Sequence, residues 1–267
     1  MPLQKINNLD MYYELEGEGR PVVFISGMTM NHMPWKAFQV PAFNAAGYQC
    51  LVFDNRDNGQ TSDSPESDYS TQQLADDTAE LMQVLGLPAA HIVGYSMGGM
   101  VAQQMAIHHP DKVRSLVLLG TSARVGAYEH NLLNTWATAK QALSNEDFWN
   151  LMAGYILTWR FHENTEMMQR WLGLVTSDAY YQTPAALARQ AAACTNHDTA
   201  ERLSDIHVPT MTVVGEEDLV LPIRHSEFLH QNIPNSELIL IPRCGHSGLS
   251  EGAVTFNPAV LDFLSKN

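Results

Sequence analysis

The sequence predicts an α/β fold: a mostly parallel central sheet with helices on both faces and an inserted helical cap. Three observations carry that expectation. Short apolar runs alternate with helix-patterned segments through both ends of the chain. At residues 91–100 an apolar run enters a Gly-x-Ser-x-Gly turn and leaves it as a helix. Between about residues 123 and 205 the alternation stops, and a helix-rich stretch takes its place.

Residues 3–7 and 10–16 alternate apolar with polar side chains and read as an antiparallel edge. The runs at 22–25, 50–53, 92–93, 116–119, 212–214 and 238–241 are continuously apolar, the pattern of strands buried on both faces. Helical spacing falls near 35–46, 72–86, 98–109, 223–231 and 257–265, with Gly47, Gly86 and Pro110 among the stops. Repeated strand–helix units imply a parallel sheet covered on both sides. The expected division is a core of residues 1–122 and 206–267 and a cap of residues 123–205.

The insert holds Trp136, Trp149, Trp159 and Trp171, four of the five tryptophans, with Phe148, Tyr155, Phe161, Met167, Met168, Tyr180 and Tyr181. Most of these side chains are expected to pack on one another. An insert between two strands of such a sheet lies at their C-terminal edge, where open α/β sheets bind ligands. A few of its apolar residues should therefore line a substrate pocket.

Composition narrows the partners. With 29 acidic against 15 basic residues the formal net charge is −14, which disfavours nucleic acid and anionic membranes. The opening Met-Pro-Leu-Gln-Lys leads straight into strand-like sequence, without a signal core, and no stretch reaches membrane-spanning length. Cys50, Cys194 and Cys244 have no metal spacing and cannot all pair, so cytoplasmic residence is expected. No His-Glu-x-x-His cluster occurs among 11 histidines, and no phosphate loop or nicotinamide fingerprint is visible. Neither metal nor cofactor is expected. His108 and His109, before Pro110, should satisfy helix-end carbonyls and the helix dipole.

Ser96 stands between strand and helix, on a turn with unfavourable backbone angles. Gly94 and Gly98 flank it because a Cβ at either place would collide across the turn. The hydroxyl is lifted over the N-terminus of the next helix, where free N–H groups and the dipole favour developing negative charge. A serine hydroxyl is a weak nucleophile at neutral pH and needs a base. His246, in Pro-Arg-Cys-Gly-His-Ser-Gly after the apolar run at 238–241, is the candidate. An acid should orient and stabilise its imidazolium. Asp218 follows the run at 212–214, with Glu216 and Glu217 as competitors, and Pro222 opens the next helix. The order Ser96, Asp218, His246 is the one expected for a nucleophile elbow of this kind.

On these three segments, Gly94-Tyr-Ser-Met-Gly-Gly, Gly215-Glu-Glu-Asp-Leu-Val-Leu-Pro and Cys244-Gly-His, the chain resembles the α/β-hydrolase family. The likeness is to its lid-bearing group of small esterases, lactonases, cofactor-free haloperoxidases and carbon–carbon bond hydrolases. Glu251 and the tail from Phe256 resemble the family's closing helix. The resemblance implies an oxyanion hole made by the backbone N–H groups of Met28 and Met97. Two departures stand out. Ser26-Gly27 occupies the place of the family's His-Gly. Asp54-Asn-Arg-Asp-Asn-Gly-Gln-Thr resembles its Asp-x-Arg-Gly-x-Gly-x-Ser loop, with Asp57 for Gly and Thr61 for Ser. Arg56 and Asp54 are expected to brace the fold.

The implied chemistry is acyl transfer through an acyl-serine. Serine at the elbow argues against a dehalogenase or epoxide hydrolase, which need an alkyl ester on the enzyme. Met28, Met30, Met33, Met97 and Met100 cluster beside the nucleophile and favour an apolar, adaptable pocket. Met30, Met100 and Trp159 are the expected substrate contacts; Arg124 and Arg160 are more simply solvated or paired than substrate-binding. A carboxylesterase acting on a small or medium, largely apolar ester is the first expectation. A lactonase, a vinylogous diketone hydrolase or a slow-turnover ligand receptor of the same fold are the alternatives.

Overall fold

The computed structural model describes residues 3–176 and 181–267. Its centre is an eight-stranded sheet: β1 (Leu3–Ile6), β2 (Leu9–Glu16), β3 (Arg20–Ile25), β4 (Tyr48–Phe53), β5 (Ala90–Tyr95), β6 (Val113–Leu119), β7 (Thr210–Gly215) and β8 (Glu237–Ile241). The spatial order is β1-β2-β4-β3-β5-β6-β7-β8. β1 and β2 form the antiparallel edge, and every pairing from β4 to β8 is parallel.

Strand periodicity divides the apolar residues between two faces. Val23 and Ile25 enter one core with Ile92 and Leu118, under α3 (Thr71–Val84) and α4 (Met97–His108). Val22 and Phe24 enter the other with Val93 and Val117, under α1 (Met33–Phe38), α2 (Val40–Ala45) and α11 (Ala253–Ser265). The runs expected to be buried on both faces are so, except at β8. That strand closes the sheet at its edge, and Leu240 is left exposed.

The single helix expected near 35–46 is two. Pro41 has no N–H to continue the ladder of α1, so Gln39 ends one helix and opens the next. At the end of α4 the two imidazoles meet side chains rather than carbonyls. His109 Nε2 lies 2.7 Å from Asp76 Oδ1, and His108 Nε2 lies 3.3 Å from Arg202 Nη1.

Between β6 and β7 the described residues form α5 (Ala127–Ala142), α6 (Asn145–Ile156), α7 (Trp159–Glu163), α8 (Thr165–Val175) and α9 (Pro184–Thr195). Side-chain caps set three of the starts: Ser144, Asn164 and Thr183 each accept from a backbone N–H three residues on. Trp149 packs edge-on to both Phe148 and Trp171, and Trp136 edge-on to Tyr155. Tyr180 lies outside the described residues. α10 (Arg224–Asn232) follows β7. No helix among the described residues is long and apolar enough to cross a membrane.

Candidate active site

Ser96 lies between β5 and α4 at φ 53° and ψ −117°, a backbone conformation that side chains rarely adopt. The flanking glycines permit it. A Cβ on Gly94 would stand 2.3 Å from Gly98 O, and one on Gly98 would stand 2.0 Å from Ile25 O. The turn is pinned from β6, since Ser96 N donates to Leu119 O at 2.9 Å and Thr121 Oγ1 donates to Ser96 O at 2.8 Å.

His246 Nε2 lies 3.0 Å from Ser96 Oγ, and its Nδ1 lies 2.8 Å from Asp218 Oδ2. Asp218 is itself fixed: its Oδ1 accepts from Val220 N and Leu221 N, each at 2.8 Å. A buried carboxylate facing Nδ1 holds the proton there and leaves Nε2 to accept. The loop bearing His246 is tied on both sides. Gly245 N donates to Glu251 Oε2 at 2.8 Å, and Ser247 N donates to Ile156 O at 2.9 Å. Of the competing acids, Glu216 is exposed and Glu217 pairs with Arg160 at 2.7 Å. Gly120 completes the setting, because at φ 53° a Cβ there would press 3.3 Å from His246 Nδ1.

Met28 and Met97 line the same cavity as Ser96, and neither backbone N–H has a hydrogen-bond partner among the described residues. The strand-following loop turns back through Met30 N donating to Gly27 O at 3.2 Å. Where the family has histidine, Ser26 Oγ accepts from Trp35 Nε1 at 3.1 Å. The loop after β4 is a brace. Asp54, fully buried, accepts from His32 N, His32 Nδ1 and Gln60 N at 2.7, 2.8 and 2.8 Å. Arg56 clamps Asp77 of α3 through Nε and Nη2 at 2.7 and 2.9 Å. Asp57, in the place of glycine, sits at φ 66° and receives two 2.7 Å bonds from Arg189 of α9.

The cavity encloses about 1270 Å³, its open mouth included. Met30 and Met100 line it; Met33, which opens α1, does not. Trp159 is corrected. The residue is 64% exposed, with the Arg160 guanidinium 4.7 Å above its ring, and it is absent from the cavity wall. α7 is a short surface helix, and the aromatic identity of Trp159 could not say which side faced outward. The α5 residues Glu129, Leu132, Leu133, Trp136 and Lys140 line the wall instead, at the three- and four-residue spacing of one helix face. Burial alone would raise the Glu129 carboxyl, but His225 and backbone N–H groups hold it below its ordinary range. No group of three or more His, Cys, Asp or Glu among the described residues is arranged to hold a metal ion.

A family model described as the alpha/beta hydrolase fold matches residues 20–253. A Mycobacterium tuberculosis protein with the provisional name non-heme bromoperoxidase BpoC is 30% identical over 266 residues, covering 96% of this chain and 98% of its own. MGS-M2, an alpha/beta hydrolase enzyme from a Medee basin deep-sea metagenome library, superposes with a TM-score of 0.90 at 25% identity, over 100% of this chain and 98% of that one. Est816, described as an N-acyl homoserine lactone degrading enzyme, gives 0.82 at 26% identity, over 98% and 100%.

Proposed function

The chain belongs to the α/β-hydrolase family, and on that premise we propose that it is a serine hydrolase of small to medium, largely apolar carboxylic esters. The observation that supports this reading is the hydrogen-bonded line from Asp218 through His246 to Ser96, at 2.8 and 3.0 Å, opening on an apolar cavity. In this reading Ser96 Oγ attacks the ester carbonyl as His246 Nε2 takes its proton. The carbonyl oxygen becomes an oxyanion held by the Met28 and Met97 N–H groups, the latter at the N-terminus of α4. The tetrahedral adduct collapses, and His246 returns the proton to the departing alcohol. Water, deprotonated by His246, then attacks the acyl-serine and releases the acid.

We further propose that residues 123–205 form a cap on a core of residues 1–122 and 206–267, with α5 as the roof of the substrate cavity. Three buried free thiols fit the cytoplasmic residence we propose.

A lactone is a cyclic ester and passes through the same steps, with the alcohol retained on the acid. The 26% identity to Est816 favours lactones as a second substrate group. Short p-nitrophenyl esters and acyl lactones, offered to the wild type and to Ser96→Ala, test the proposal. Turnover that disappears with the hydroxyl supports it; turnover that persists in Ser96→Ala refutes it.

A further inference from the structure

The cavity in front of Ser96 is walled by one cation that no carboxylate among the described residues answers. Among the described residues lining it, Glu129 and Lys140 carry permanent charge, both from α5. Glu129 is compensated: it accepts from Arg224, from His225 Nε2 at 2.8 Å and from Gly126 N at 2.8 Å. These contacts fasten the start of α5 to α10.

Lys140 has no such answer. Its residue is 5% exposed, and Nζ donates to the neutral Asn145 Oδ1 at 2.8 Å. The ammonium stands 4.6 Å from the Phe148 ring centroid and 4.5 Å from that of Tyr181. No carboxylate pairs with it among the described residues. Burial pushes its pKa down to about 8, which still leaves the ammonium form dominant at neutral pH. A buried cation without a counter-charge costs stability. Such a cation in the wall of a largely apolar cavity marks a place for an anion.

We propose that Lys140 forms an anion subsite at a distance from Ser96, so that the preferred ester or lactone carries a carboxylate beyond an apolar chain. The inference rests on the serine hydrolase reading for its reacting carbonyl. Along α5, Leu132 to Lys140 spans about 12 Å, the stretch over which the chain would lie.

Monomethyl esters of straight dicarboxylic acids, from adipic to sebacic, test the subsite against the dimethyl diesters of the same acids. Methanol release gives kcat/KM in the wild type, Lys140→Met and Lys140→Gln. Calorimetric binding of the same esters to Ser96→Ala, with and without Lys140→Met, requires no turnover. At one or more chain lengths the half-ester should be favoured by about tenfold to a hundredfold, the range of a charge-assisted hydrogen bond. Both Lys140 variants should erase that ratio. Parity at every length, or a preference that survives Lys140→Met, overturns the subsite. If no ester turns over while Ser96→Ala still binds the half-ester through Lys140, the hydrolase reading fails and the subsite stands.

Discussion

The backbone N–H of Thr29 donates to Oε1 of Gln190 at 3.0 Å, joining two residues 161 positions apart. Thr29 is the neighbour of Met28 and stands at φ 66°. Gln190, fully buried in α9, also donates through Nε2 to Arg56 O at 3.2 Å and accepts from Gln182 Nε2 at 2.9 Å. An inserted helix thus holds the loop whose N–H is proposed to face the oxyanion.

Gln190→Ala removes that acceptor and frees the Thr29 N–H. The expected outcome is a fall in kcat of about tenfold to a hundredfold with a smaller change in KM, less than the loss of a whole oxyanion donor. Steady-state kinetics beside a thermal melt separate this from general unfolding. A change confined to stability would show that Gln190 only packs.

Asp218→Asn is expected to lower kcat by about ten-thousandfold, because the amide stabilises the wrong imidazole tautomer. Glu217→Gln breaks only its half-exposed pair with Arg160, worth at most about 1 kcal/mol, and should leave kcat within a few-fold. The reverse ranking of the two variants would move the acid of the relay to Glu217.

Asp57→Gly restores the residue that the family resemblance expects. Glycine adopts φ 66° freely, which relieves about 1 kcal/mol. It also strips Arg189 of both its bonds and Ser64 N of an acceptor at 2.7 Å. Breaking a largely buried pair costs about 3 kcal/mol, so the variant should melt several degrees lower. An unchanged or higher Tm would mean that α9 is not fastened through this carboxylate.

His91 and His197 are buried, and burial pushes each pKa down to about 4, with Arg114 and Arg20 adding to the effect at His91. Each folded-state pKa lies below the ordinary value of 6.5, so the unfolded chain binds the extra proton first. The contribution of these two imidazoles to stability should therefore be lost as pH drops from about 6.5 towards 4 and change little below that. His91→Gln should flatten this limb in chemical denaturation series. If its midpoint tracks the wild type at every pH, His91 does not contribute to acid sensitivity.

The features legible in the sequence are those enforced within a few residues. At Ser96 the two glycines, the apolar strand before and the helix after are all local, because a Cβ clash across one turn is a local event. Strand and helix positions follow from apolar periodicity, with errors where a proline splits a helix at Pro41 or a strand reaches the sheet edge at β8. His246 and Asp218 stand out because each follows a strand run, which brings it to the same rim as Ser96.

Trp159, Gln190 and Lys140 were decided elsewhere. A helix shows its face only once packed, so an aromatic count over the insert could not tell exposed Trp159 from buried Trp136. Gln190 meets Thr29, and Lys140 meets Tyr181, only once segments far apart in the chain have packed together. The sequence by itself determined the strand–helix architecture, the elbow and the order of three chemically paired groups. Tertiary structure alone decided which side chains wall the cavity and which cation there meets no carboxylate among the described residues, because burial and distance arise between segments that no local pattern connects.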